Sequence, residues 1–219
     1  MATVACRHAE LSPFTFEQLR SDYADAERPR KYRRNEGQKM AIEILVPSII
    51  KVGGGAIAEA SNILKHLEVK HPLIVTDPVL VRMGLAGSLR EQIERAGIAC
   101  GVFSETVPDP TTDAVAAGVQ AFVRGKHDGL VSLGGGSPID SAKAIGILAS
   151  NGGRASDYKV PNQIPNKSPL HLAIPTTAGT GSEVSRFTVI TDSETDEKML
   201  IAGASLVPNA AIEIGRAHV

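Results

Sequence analysis

The sequence GLVSLGGGSPID, residues 129–140, indicates the fold most clearly. An apolar run leads directly into three glycines at 134–136, and these are followed by Ser137 and Pro138. Short continuous apolar runs are typical of strands buried on both faces. Proline is favoured at the start of a helix, where its missing N–H leaves no bond unmade. The stretch therefore predicts a buried strand, a glycine turn and a helix in direct succession.

Similar units alternate along the chain on both sides of this stretch. PLIVTD and LHLAIPTT are short apolar strand patterns, whereas residues 78–97 and 111–126 have helical spacing and are each predicted as one helix. FTVITD and KMLIAG predict a hairpin. Alternating strands and helices indicate a parallel sheet covered on both faces. We therefore predict a Rossmann-like α/β domain over residues 40–212.

The glycines of the central stretch suit a phosphate group. Because Gly134, Gly135 and Gly136 have no Cβ, a ligand can approach their backbone closely, and the start of the following helix favours negative charge. Ser137 can cap the helix or donate to a phosphate oxygen. Asp140, expected in the first helical turn, is explained equally well by compensation of the helix dipole and by a ligand contact. We predict a dinucleotide or phosphate site here.

A second glycine segment, GGGAIA at residues 53–58, also fits the G-x-G-x-x-G/A pattern. A pattern this loose is a weak signal in a chain rich in glycine and alanine. The favoured interpretation is a tight turn that packs a helix on the sheet.

A polar loop follows a later strand in IPTTAGTGSEVS, residues 174–185. The hydroxyls of Thr176, Thr177 and Thr180 can donate to a ligand or satisfy the loop's own backbone. The loop lacks the Gly-Lys-Ser/Thr ending of an ATP-binding P-loop. Loops at the carboxyl ends of parallel strands share one edge of the sheet, where ligands bind in such folds.

Asp77 ends the strand pattern PLIVTD. A carboxylate in this position can accept both hydroxyls of an adenosine ribose and repel a 2′-phosphate, which predicts NAD in preference to NADP. Capping of the helix that begins near Pro78 is the alternative role.

Composition limits the possible functions. The 219 residues carry 23 Lys and Arg against 24 Asp and Glu, a formal net charge of −1. This charge gives no basic field for nucleic acid or an anionic membrane, and the apolar stretches fall short of the roughly 20 residues of a membrane span. Cys6 and Cys100 match no metal or redox spacing. We expect a cytoplasmic protein without nucleic-acid or membrane partners.

GGGSPIDSAKAI and IPTTAGTGSEVSRFTVITD together resemble the two signature segments of the iron-containing (group III) alcohol dehydrogenases, whose fold is similar to that of dehydroquinate synthase. The likeness covers residues 42–212. It implies an NAD(P)-binding α/β domain followed by an all-helical metal domain, with the active site between them. The cofactor-binding positions that the resemblance implies are Asp77, Gly134, Gly135, Gly136, Ser137, Asp140, Thr176, Thr177 and Thr180, with Val189 near the nicotinamide, Lys198 near a ribose and Pro108, Asp109 and Pro110 beside the adenosine.

The family's reaction is hydride transfer between an alcohol and a nicotinamide, assisted by Fe²⁺ bound to one Asp and three His. The resemblance places that Asp at position 214, where this chain has Ile214. The six histidines show no paired helical spacing and are expected at the surface or in turns. We therefore expect this chain, which lacks the metal ligands and the helical domain, to bind NAD weakly and not to oxidise alcohols. The full-length protein is expected to be a homo-oligomer acting on a small alcohol or aldehyde.

Both ends of the chain differ from the domain between them. Residues 1–39 carry a basic run without regular periodicity, and we expect a disordered or non-native extension there. Residues 213–219, EIGRAHV, are also what a common DNA-sequencing adapter encodes, so we expect a non-native tail. Alternative functions are a maleylacetate reductase or hydroxyacid-oxoacid transhydrogenase of the same fold, a non-catalytic nucleotide-binding module and, with less support, a phosphosugar-binding protein.

Overall fold

The computed structural model describes residues 43–214, so the extension predicted for 1–39 and most of the tail predicted for 213–219 lie outside the described residues. The strands are β1 Ile49–Val52, β2 Pro72–Val75, β3 Gly101–Phe103, β4 Gly129–Gly134, β5 Leu170–Pro175, β6 Phe187–Thr191, β7 Lys198–Ala202 and β8 Ala210–Glu213. The α-helices are α1 Ala60–His66, α2 Pro78–Arg82, α3 Leu85–Arg95, α4 Thr112–Arg124 and α5 Gly136–Asn151. Short 3₁₀ turns occupy Ala56–Glu59, Ala155–Tyr158 and Ala204–Leu206.

Six strands form one sheet in the order β1-β8-β5-β4-β2-β3. Every neighbouring pair in this sheet is parallel. β6 and β7 form a separate antiparallel hairpin. The predicted Rossmann-like parallel sheet and the predicted hairpin are both confirmed.

The sheet separates two hydrophobic clusters because successive strand residues point to opposite faces. In β2, Ile74 packs with α1 and α3, whereas Leu73 and Val75 pack with α4 and α5. β4 is buried along its whole length. A strand buried on both faces has the continuous apolar sequence from which β4 was predicted.

The chain changes direction in the sheet between β2 and β4. β2 and β3 occupy one end of the strand order, and after β4 the strands continue on the other side. Leu80 of α2, which follows β2, packs in one cluster, and Ile145 of α5, which follows β4, packs in the other. Neighbouring strands whose following helices lie on opposite faces leave a crevice at their carboxyl ends, which is where such sheets bind ligands.

Two sequence predictions about this framework are wrong. The single helix predicted for residues 78–97 is interrupted at Gly84, whose φ of 78° is left-handed and ends α2 before α3 begins. His171, predicted at the surface or in a turn, is 5% exposed within β5, where its Nε2 lies 2.8 Å from the Oγ of Ser132. Burial holds the pKa of His171 down at about 3, so this imidazole is neutral.

No helix among residues 43–214 is long and apolar enough to cross a membrane.

Candidate dinucleotide site

A cavity of about 730 Å³ lies at the carboxyl edge of the sheet. The segments following all six strands of the parallel sheet contribute to its wall, as seen at Gly54, Asp77, Pro108, Gly135, Thr176 and Ile214. β2 and β4 end side by side here, so the cavity occupies the crevice expected where the strand order reverses.

The central turn, residues 134–137, joins β4 to α5 at the cavity wall. Gly134 has φ of 148°, and a Cβ there would lie 2.5 Å from the Cγ of Pro138. Gly135 and Ser137 line the cavity. Because α5 starts within the turn, its first backbone N–H groups are available to an anion. The central turn can therefore bind phosphate through its backbone.

The threonine loop, residues 174–185, packs against the central turn. Thr176 N–H donates to the Gly134 carbonyl at 2.9 Å. A Cβ at Gly135 would lie 3.1 Å from the Oγ1 of Thr177, and both threonines line the cavity. The two polar segments predicted from sequence therefore meet at one wall.

Thr180 lies beside this contact but outside the cavity lining. Its methyl carbon would be 3.4 Å from a Cβ at Gly136, and Gly136 is also outside the lining. The Oγ1 of Thr180 donates to the Glu183 carboxylate at 3.4 Å. Thr180 therefore packs against the central turn at Gly136 without facing the cavity.

Asp77 caps α2 and lines the cavity at the same time. Its Oδ1 accepts hydrogen bonds from the N–H groups of Val79 at 2.8 Å and Leu80 at 3.0 Å. Both capping bonds use the same oxygen, and a carboxylate has two. The capping role and the ribose-binding role are thus compatible.

The wall next to Asp77 is apolar. It is formed by Val79, Met83 and Leu85, Val107 also lines the cavity, and Met83 is 63% exposed. Such a surface suits the planar ring of a nucleotide base beside the polar positions of its ribose.

The edge turn, residues 53–55, follows β1 and lies at another part of the cavity wall. Gly53 and Gly55 have φ of 142° and 83°, and Ala56 N–H donates back to the Gly53 carbonyl at 3.1 Å. A Cβ at any of its three glycines would have no heavy atom within 4 Å. The segment is a tight turn into the 3₁₀ turn before α1, as the favoured interpretation predicts.

Asp140 faces the β6–β7 hairpin. It lies in the second turn of α5, so its predicted place in the first turn is wrong. Its Oδ2 accepts from the N–H of Val189 at 3.3 Å, and its carbonyl accepts from the Oγ1 of Thr188 at 2.9 Å. Burial raises the pKa of Asp140, with Lys143 opposing that shift. Asp140 and Val189 therefore join α5 to the hairpin outside the cavity lining.

Lys198 likewise lies outside the lining. Its Nζ is 3.1 Å from the Oδ1 of Asp109, and both side chains are more than half exposed. Exposed ion pairs of this kind contribute little to stability. Of the predicted Pro108–Pro110 segment, Pro108 borders the cavity.

Lys143 was not predicted from the sequence as a site residue. It is 2% exposed, and its ammonium donates to the carbonyls of Ser185 at 2.9 Å and Phe187 at 2.8 Å. Burial lowers the pKa of Lys143 to about 8, against the opposite effects of the carboxylates of Asp140 and Glu183. The available signal was a single charge in the apolar helical stretch SAKAIGILA.

The described residues offer no group of three or more His, Cys, Asp or Glu side chains that could hold a metal ion. Ile214, at the position where the resemblance implies an aspartate, lines the cavity with a hydrocarbon side chain. These residues do not fit an Fe²⁺ site, because such a site needs oxygen or nitrogen ligands.

The parallel sheet, its covering helices and the cavity at its reversal point define a Rossmann-like α/β domain. Residues 47–213 match the family described as iron-containing alcohol dehydrogenase. The chain belongs to this family.

Curated and solved relatives agree with this assignment. The NAD-dependent methanol dehydrogenase of Bacillus methanolicus is 41% identical over 167 residues, which cover 76% of this chain and 44% of that protein. A 1,3-propanediol oxidoreductase structure has a TM-score of 0.76 at 34% identity and covers 80% of this chain and 46% of its own. Sulfoacetaldehyde reductase from Bifidobacterium kashiwanohense, solved with NAD⁺, has a TM-score of 0.74 at 28% identity, with the same coverages. The chain thus spans less than half the length of these proteins.

Proposed function

We propose that this chain is the NAD-binding domain of a metal-assisted alcohol dehydrogenase. The observation that carries the proposal is the convergence of the central turn, the threonine loop and Asp77 on one cavity at the reversal point of the sheet. The sequence relationship to an NAD-dependent methanol dehydrogenase supports the same cofactor.

In this proposal the central turn receives the pyrophosphate. Gly135 presents backbone without a side chain, and the start of α5 adds backbone N–H donors and the positive end of its dipole. The hydroxyls of Ser137 and Thr177 lie on the same cavity wall and can donate to phosphate oxygens. The bound cofactor supplies a nicotinamide ring that exchanges a hydride with an alcohol carbon.

Asp77 gives the proposal its cofactor preference. The carboxylate accepts the two hydroxyls of the adenosine ribose, and the adjacent apolar wall packs on the adenine. A 2′-phosphate would bring negative charge against this carboxylate. We therefore assign NAD in preference to NADP.

We propose the Fe²⁺ ion, the substrate class and the oligomeric state on the basis of family membership. The described residues do not provide a metal site, so no catalytic step is assigned to them. A small alcohol or aldehyde substrate is supported by the methanol dehydrogenase and propanediol oxidoreductase relatives. We further propose a cytoplasmic homo-oligomer for the full-length protein.

A titration with NADH, followed by nicotinamide fluorescence, tests the cofactor assignment. We expect saturable binding of NADH by the 219-residue chain and at least about tenfold weaker binding of NADPH, corresponding to about 1.4 kcal/mol. Absence of NADH binding by the folded chain would refute the proposed function.

Asp77→Asn tests the role of Asp77 in this preference. An asparagine oxygen still caps α2, so stability changes little, whereas the negative charge facing a 2′-phosphate is gone. We expect the preference for NADH over NADPH to narrow several-fold. An unchanged preference would show that Asp77 does not read the ribose.

A further inference from the structure

Lys143 lies outside the cavity lining and hydrogen-bonds to the end of the threonine loop and the start of β6. Its ammonium has three donors and finds three acceptors: the Ser185 carbonyl at 2.9 Å, the Phe187 carbonyl at 2.8 Å and the Ser185 Oγ at 3.3 Å. All three belong to the short segment that ends the threonine loop and begins β6. The buried Lys143 side chain therefore holds this end of the loop to α5.

The other end of the threonine loop is fixed by the sheet. The loop leaves β5, and Thr176 N–H donates to the Gly134 carbonyl at 2.9 Å. Between these two attachments, Thr177 packs on Gly135 and lines the cavity. A loop held at both ends keeps its threonine hydroxyls beside the central turn.

Asp140 adds a second attachment on the same helix. It precedes Lys143 by three residues, so the two side chains lie on one face of α5. Its carbonyl and carboxylate accept from Thr188 and Val189 of β6. Asp140 and Lys143 of α5 therefore both bind β6 or the segment that joins the threonine loop to it, and the start of the same helix faces the cavity.

A buried ammonium is a costly way to fill space. Removing it from water is unfavourable, and its hydrogen bonds offset that cost only where the geometry is good. A methionine would fill a similar volume without this cost. What distinguishes Lys143 is that its three hydrogen bonds all lead to the segment that joins the threonine loop to β6.

We propose that Lys143 is a positioning residue for the dinucleotide: it holds the threonine loop against α5 so that Thr176 and Thr177 face the pyrophosphate. This inference rests on the proposed function, because it assigns the loop to that ligand. Lys143 itself does not line the cavity.

Lys143→Met tests the inference through a difference between two ligands. NADH carries the pyrophosphate, whereas adenosine uses only the Asp77 side of the cavity. We expect the variant to bind NADH at least tenfold more weakly and adenosine within twofold of the parent chain, both measured by calorimetry. A general loss of folding would lower the affinity for both ligands to the same extent.

Ile63→Val is the matched control for lost stability. Ile63 is buried in α1, in the hydrophobic cluster on the face of the sheet opposite the cluster that contains Ala142 and Ala144 of α5. This variant should melt at a lower temperature and bind both ligands as the parent does. Should Lys143→Met fail to fold, Lys143→Gln retains a short donor and is compared in the same way, with a smaller loss of NADH affinity expected.

The outcomes separate the inference from the proposed function. A parent chain that does not bind NADH overturns the proposed function and this inference with it. If the parent binds NADH and the Lys143 variant binds it equally well, the inference alone is overturned. The same holds if the variant loses affinity for NADH and for adenosine in equal proportion. Selective loss of NADH affinity supports it.

Discussion

The edge turn and the central turn carry the same run of three glycines and differ in their surroundings. Both follow a parallel strand, both contain three consecutive glycines and both border the cavity. A Cβ in the edge turn would meet nothing within 4 Å, whereas one at Gly134 would lie 2.5 Å from Pro138 and one at Gly135 would lie 3.1 Å from Thr177. In the edge turn, Gly53 and Gly55 allow a left-handed backbone conformation. In the central turn, the missing Cβ atoms also allow neighbouring side chains to pack closely against the backbone.

This difference shows what a glycine pattern can and cannot indicate. The pattern G-x-G-x-x-G/A is satisfied by the edge turn, yet the crowded backbone and the threonine loop belong to the central turn. A helix follows each turn, but only the central turn leads directly into a long one, α5. Substitutions in the two turns should therefore have unequal effects.

The largest effect is expected for Gly134→Ala. A side chain there meets Pro138 and must adopt φ of 148°, so strain and overpacking add. Together they should lower the free energy of unfolding by roughly 2 to 5 kcal/mol. Urea denaturation measures this loss. A change below about 0.5 kcal/mol, typical of an uncrowded surface site, would remove the distinction between the turns.

The next largest effect concerns pH and the buried charge behind the central turn. Burial lowers the pKa of Lys143 from 10.5 to about 8, so between these values the unfolded chain binds more protons than the folded chain. The contribution of Lys143 to the free energy of unfolding should therefore rise through this range, by about 3 kcal/mol in all. Other titrating groups, such as Cys100, act in parent and variant alike, so the difference in free energy of unfolding between the parent and Lys143→Met, measured by urea denaturation between about pH 7 and pH 10.5, should rise by this amount. Parallel pH profiles would contradict it.

Gly135→Ala should separate binding from folding. Its backbone lies outside the left-handed region, and the added methyl group would displace Thr177 by only a few tenths of an ångström. We expect a stability change below about 1 kcal/mol and a loss of NADH affinity of about tenfold or more, since the methyl group occupies space between the turn and the loop. A fluorescence titration decides, and unchanged affinity would exclude close approach of the cofactor at Gly135.

The smallest effect is expected for Gly54→Ala. Gly54 is exposed, lacks a left-handed backbone and has open space around its Cβ position. The substitution should change the free energy of unfolding by less than about 1 kcal/mol, with stabilisation expected from the stiffer unfolded chain. NADH affinity should stay within about twofold of the parent value, well under 1 kcal/mol. A tenfold loss would show that the edge turn also contacts the cofactor.

The sequence predicted the framework well where local pattern and burial agree. The apolar run of β4, its glycines and the proline at the start of α5 all indicate the same strand, turn and helix. The break at Gly84 was missed because the apolar spacing on its two sides is compatible with one continuous helix. His171 was misjudged because its partner, Ser132, lies on a neighbouring strand 39 residues away.

Parts of the site depend on contacts that local sequence does not reveal. Asp77 has a local capping role that can be predicted, but its place in the cavity follows from the strand order. Asp140 and Lys143 are directed at the β6–β7 hairpin, which is distant in sequence. Lys198, which lies in β7 of the same hairpin, forms an ion pair with Asp109. Residue type alone could not assign these partners.

We expect the pyrophosphate to bind at the central turn and not at the edge turn. An NMR titration of the isotope-labelled chain with NADH distinguishes the two sites through the backbone amide shifts of both turns. We predict the largest shifts at residues 134–137 and at Thr176 and Thr177, with much smaller changes at residues 53–55. Shifts that are largest at residues 53–55 would instead place the pyrophosphate at the edge turn.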